Sequence, residues 1–177
     1  MQKDWKDELA KKTGYSLVEN NSKGKKKLKA EKMSEDKILF FNDVGKRQIN
    51  QDLVEKQAKE WALSFIKPRR PKDFKIHNPK LTSAQLRRFH NDVRELEAKI
   101  EAAKGKKEFH HFLPMVKMIK SKVAYACPSN GRERKVPEEF RNYMETMINS
   151  ISEYEDFKAF SLCFEAVVGY FYGEGGR

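Results

Sequence analysis

The sequence predicts an all-α fold: a compact helical bundle of about five helices behind a basic, partly flexible N-terminal extension. Three observations carry that prediction. Apolar residues recur at spacings of three and four through most of the chain beyond residue 48, the period of one helix face. The periodic stretches are separated by Pro, Gly and Asn clusters, with no series of alternating β-branched runs. Finally, 38% hydrophobic residues with 12 Phe among 177 residues suffice for a single core. Residues 1–47 read as the extension and 48–177 as one helical domain.

In the extension, "NNSKGKKKLKAEK" is Lys-rich and poor in large apolar side chains, which predicts a flexible segment. "KILFFNDV" is a short apolar run that fits a strand or a docking segment equally well. A helix is expected over about 49–66, where Ile49, Leu53, Ala58, Trp61, Leu63, Phe65 and Ile66 give a broad apolar face. Three prolines in "KPRRPKDFKIHNPK" stop it in an extended basic linker.

"LTSAQLRRFHNDVRELEAKIEAA" is the cleanest helix. Thr82 and Gln85 fit a capping box, Leu86, Phe89, Val93, Leu96 and Ile100 form one stripe, and Gly105 closes it. "FHHFLPMVKMIKSKVAYA" carries the stripe Phe112, Val116, Ile119 and Val123. Pro114 is tolerable only near a first turn, so the regular part is expected to begin about there. "VPEEFRNYMETMINSIS" opens with Pro137 and two glutamates that suit the positive end of a helix dipole, and it turns Phe140, Met144, Met147 and Ile151 inward. The most apolar helix is "EDFKAFSLCFEAVVGYFYG", with Phe157, Phe160, Phe164, Val167, Val168 and Phe171; residues from Gly173 onward read as a tail.

Net charge is +11 with a pI near 9.5, a footprint that fits a polyanionic partner such as nucleic acid. It is unevenly spread: +5 over 1–47, +4 over 48–80, +7 over 81–135 and −5 over 136–177. A basic middle and an acidic end suggest two surfaces with different tasks. The N-terminus lacks the apolar core of a signal peptide, and no apolar run approaches a membrane span. The two cysteines, Cys127 and Cys163, form no disulfide framework and suit a reducing cytoplasm.

No enzymatic chemistry is signalled. His110 and His111 are adjacent and point to different helix faces; His77 and His90 have no spaced partner, so neither metal nor cofactor is expected. Lys122, Arg132 and Arg134 would lower the pKa of Cys127, but a nucleophile also needs a base and an orienting group, and none is nearby in sequence. What the middle of the chain does hold is a set suited to phosphates. Arg87, Arg88 and Arg94 lie off the apolar stripe of the capped helix, Lys117 and Lys120 share a face with Lys122 following, and Arg132, Arg134 and Lys135 follow the turn. Thr82 and Ser83 add hydroxyls at a helix start. Such groups grip a backbone and read no sequence.

"LTSAQLRRFHNDV", "KVAYA" followed by "NGR", and "FKAFSLCFEAVVGYFY", in that order over about residues 80–173, resemble the small subunit of type III-A CRISPR effector (Csm) complexes. The resemblance implies a small, helical, non-catalytic protein of antiviral defence that stacks head to tail with copies of itself inside a cytoplasmic ribonucleoprotein. Its partners would be guide RNA, target RNA, and the large and backbone subunits of the complex, with no membrane. The family's basic positions fall on Arg87, Arg88 and Arg132; charge and helical spacing add Lys117, Lys120 and Lys122, the helix start adds Ser83 and the turn adds Arg134 as expected RNA contacts. A type III-B small subunit, or a helical nucleic-acid-binding protein acting alone, is the alternative.

Overall fold

In a computed structural model the described residues are 15–19, 28–32, 37–42, 45, 48–71, 77–130 and 133–177. The chain divides into two units at Lys37/Ile38, ten residues before the boundary expected from the sequence. In the first unit an antiparallel hairpin pairs β1 (Tyr15–Glu19) with β2 (Leu28–Lys32), Tyr15 opposite Lys32 and Leu17 opposite Ala30. The sequence reading did not foresee this pair. The Lys-rich residues between the strands, where flexibility was expected, lie outside the described residues.

The second unit is all-α, with five α-helices among the described residues: α1 (Ala58–Ile66), α2 (Ser83–Ala102), α3 (Phe109–Ala126), α4 (Glu138–Asn149) and α5 (Tyr154–Gly173). A π-helical turn, Leu53–Gln57, leads into α1, so the first helix is widened at its start rather than regular from residue 49. The apolar run ahead of it docks: Phe40 enters the core, Phe41 bridges to Ile49, and the Ile38 N–H donates to Ser150 Oγ at 2.8 Å.

The capping box of α2 is present as expected. Gln85 N–H donates to Thr82 Oγ1 and Thr82 N–H to Gln85 Oε1, satisfying donors that a helix start otherwise leaves open. Its five stripe residues are all buried. α3 departs from expectation by beginning five residues before Pro114. Phe109 is fully buried against Tyr154 and Phe157, with ring centroids at 6.0 and 5.9 Å, and this anchors the turn that proline alone would have discouraged. α4 starts at an extended Pro137, and α5 carries a capping box in which Asp156 Oδ2 accepts from the N–H groups of Ser152 and Glu153.

α1 packs on α5 and α4, α2 on α5, and α3 on α4 and α2. At the centre sits an aromatic cluster: Phe65 edge-on to Phe140 at 5.3 Å, Phe89 against Phe140 at 5.1 Å, Phe160 stacked on Phe164 at 5.9 Å, with Tyr143 buried beside them. The stretch after Gly173 is not a free tail. Glu174 pairs with Lys59 at 2.9 Å, and Gly176 is buried with its N–H on Phe171 O. A Cβ at Gly176 would lie 2.3 Å from the Phe171 ring, so only glycine permits that return.

Candidate nucleic-acid interface

Helices α2 and α3 run side by side in opposite directions; one long-range bond joins them and a second ties α2 to the turn that follows α3. Gln85 Nε2 donates to Lys135 O at 2.7 Å, and Lys122 Nζ pairs with Asp92 at 2.8 Å. Arg88 lies three residues beyond Gln85 and four before Asp92, on that same face of α2, and is exposed. No described residue bonds its guanidinium. Beyond the turn, Lys135 folds back on the end of α3, with its N–H on Ala126 O at 2.7 Å and its Nζ 5.3 Å from the centroid of the Tyr125 ring. Ser83 begins α2 at the same end, half-exposed beside the cap. The fold therefore gathers Ser83, Arg88, Lys122, Tyr125 and Lys135 along one edge. Phosphate needs point charges and donors in such a row.

The remaining expected contacts go elsewhere. Arg87 turns to the end of α5, its Nη2 3.4 Å from Tyr172 Oη. Lys117 and Lys120 face α4: Lys117 Nζ donates to Ile148 O and Ile151 O at 2.6 and 2.7 Å, closing the carbonyl end of that helix, and Lys120 Nζ donates to Asn149 Oδ1 at 2.6 Å. Arg132 lies outside the described residues.

Arg134 corrects the sequence reading. Its side chain is 4% exposed, Nε donates to Pro128 O at 3.2 Å and Nη1 pairs with Glu138 at 3.0 Å, so its guanidinium is committed to holding the turn onto α4. The preceding residue, Glu133, takes a left-handed backbone, φ 53°, in the turn that these contacts hold. Arg94 is likewise paired, with Glu97 at 3.1 Å.

Glu97 is a buried carboxylate that the polar run "RELEAK" conceals. Burial alone would raise its pKa, but donors from Lys158 at 2.7 Å and Ser161 at 2.9 Å, with the positive charge of Arg94, hold it below the usual glutamate value. Cys127 is buried as well. Burial raises its thiol pKa and outweighs the opposing pull of Arg134 and Arg141; Arg141 donates instead to the Cys127 carbonyl at 3.1 Å. Burial pushes Cys163 to about 11. Neither thiol has thiolate character near neutral pH.

A groove of about 610 Å³ opens beside Trp61, Arg69, Arg70 and Asn78, but Glu60, Glu138 and Glu139 line it as well. Mixed charge suits a polyanion less than the α2–α3 edge does. Among the described residues, no three His, Cys, Asp or Glu converge to hold a metal ion, and no helix is long and apolar enough to cross a membrane.

Sequence reasoning grouped Lys135 with the cations suited to phosphate but counted neither it nor Tyr125 among the expected RNA contacts. The signal was present: Tyr125 lies two residues past the stripe position Val123, which on a helix turns it outward.

A model of the Csm2 Type III-A family matches residues 50–176, which spans α1 to α5. Comparison with curated proteins gave no match, nor did comparison with solved structures.

Proposed function

The chain belongs to the Csm2 type III-A family, the small subunit of the type III-A Csm complex, and from that premise we propose that it binds the guide RNA and target RNA by their backbones without reading bases. The open cationic edge of α2 and α3 carries this reading. Arg88, Lys122 and Lys135 supply charge, and Ser83 and the N–H groups of the α2 start supply donors; Arg87, Lys120 and Arg132 are further proposed contacts. Lys117 and Arg134 support the scaffold under it.

The acidic segment 136–177 repels RNA and leaves α4 and α5 for protein: the large and backbone subunits, or the next copy in a head-to-tail stack. A contact between unlike faces propagates as an open filament. The protein itself is non-catalytic and works in the cytoplasm within the ribonucleoprotein.

RNA affinity measured across salt tests the reading. Log affinity should fall linearly with log salt, and Arg88→Ala with Lys122→Ala should flatten the slope by about 0.7–0.9 per lost contact. Salt-independent binding, or an unchanged slope in the double variant, removes the assignment.

A further inference from the structure

Tyr125 is the anomaly on the cationic edge. The residue is 77% exposed on a well-formed helix whose other face is in the core, so the ring contributes little to folding. Nor is it loosely placed. The residue that sits over it, Lys135, has its backbone clamped on both sides, the N–H on Ala126 O and the carbonyl under Gln85 Nε2, each at 2.7 Å. Lys135 Nζ reaches out from this anchored backbone, and at 5.3 Å from the ring centroid it is within cation–π range. One ammonium covers a small part of the ring and leaves the rest open to water.

An open aromatic ring held by a cation, in a row of further cations, is what a nucleic-acid strand with an unpaired base recognises. The base stacks on the ring while the flanking phosphates meet the charges. Met118, one turn before Lys122 on α3, is 62% exposed and extends the apolar ground beside it. In a duplex the bases are already stacked and their faces are closed, so such a ring adds little for double-stranded RNA.

We infer that Tyr125, framed by Lys135, Lys122 and Arg88, is a stacking platform for an unpaired base of single-stranded RNA, so that this subunit distinguishes an unpaired strand from a paired one. The inference rests on the RNA-binding reading and adds contact with a base face, in addition to backbone contact and without discrimination between bases.

The test uses the full chain with a single-stranded RNA oligomer carrying one 2-aminopurine, and the same oligomer annealed to its complement. Wild-type protein should quench the 2-aminopurine of the single strand. Tyr125→Ala should abolish the quenching and weaken single-strand affinity by about 5- to 150-fold, the range of one lost base stack, with duplex affinity changed less than about twofold. Tyr125→Trp and Tyr125→Phe should keep single-strand affinity, which separates stacking from loss of the hydroxyl. Equal weakening for duplex and single strand overturns the inference, as does single-strand affinity that survives Tyr125→Ala. A shift in oligomeric mass with that affinity intact overturns it too, by assigning the ring to a protein contact. In each of those outcomes wild-type RNA binding stands; if the wild type binds no RNA in any form, the backbone-binding reading falls with it.

Discussion

Lys117 and Lys122 stand five residues apart on α3, with the same charge and the same long stem, yet the fold treats them differently. Lys117 reaches across to α4 and satisfies the two carbonyls that end that helix and its following turn. Lys122 reaches to α2, pairs with Asp92 and stays more than half exposed. Arg134 and Arg88 repeat the contrast on the neighbouring segments, one sealed against Glu138 and one open. The number of cations along a helix therefore measures neither its affinity for a polyanion nor its stability. What matters is whether the cation is sealed against groups inside the molecule or, like Lys122 beside Asp92, stays exposed to solvent.

Substitutions on the two sides should separate cleanly. The largest loss of stability is expected for Arg134→Ala, about 2 kcal/mol by urea unfolding, because Glu138 and the Pro128 carbonyl lose a buried charged donor. Lys117→Met keeps the stem and removes the ammonium. It should cost about 1–2 kcal/mol because the Ile148 and Ile151 carbonyls at the end of α4 lose this donor, with RNA affinity preserved at temperatures where the fold is intact.

His90 comes next. Its burial lowers the imidazole pKa, with Glu165 opposing, Arg94 assisting and Glu97 opposing more weakly. The native state therefore favours neutral His90, and the unfolded chain binds more protons near and below the ordinary histidine value, about 6.5. The stabilisation is complete above that value and is lost as pH falls through it. His90→Phe, which preserves the edge-on contact with Phe164, should remove this part of the acid sensitivity between pH 7.5 and 5.5. Arg88→Ala should have the smallest effect on stability, within about 0.5 kcal/mol, while flattening the salt dependence of RNA binding. A stability loss from Arg88→Ala as large as that from Arg134→Ala would erase the distinction between the two sides.

The helices were legible because burial obeys period. The stripes of α2 and α5, from Leu86 to Ile100 and from Phe157 to Phe171, are buried almost residue for residue, and the Thr82–Gln85 cap is local chemistry that four residues suffice to specify. The start of α3 was not legible, because Pro114 is a local signal and Phe109 answers to Tyr154 and Phe157, over forty residues away. The fate of each charge was equally hidden. "GRERK" reads the same whether Arg134 faces water or Glu138, and a left-handed Glu133 is not written in the residue types. Glu97 sits in a run that looks uniformly polar until Lys158 and Ser161 arrive from α5. The hairpin of Tyr15–Glu19 and Leu28–Lys32 lay inside a stretch whose lysines dominate its composition.

Gln85 carries a further consequence. One side-chain amide takes the Thr82 N–H on its oxygen and gives its nitrogen to the Lys135 carbonyl, so a helix cap and a distant turn share a single planar group. The turn cannot be pulled away from the bundle without tugging on the first coil of α2. Gln85→Glu would keep the half that nucleates the helix and break the half that moors the turn. This amide therefore ties the position of the Lys135 turn to the Thr82 cap at the start of α2.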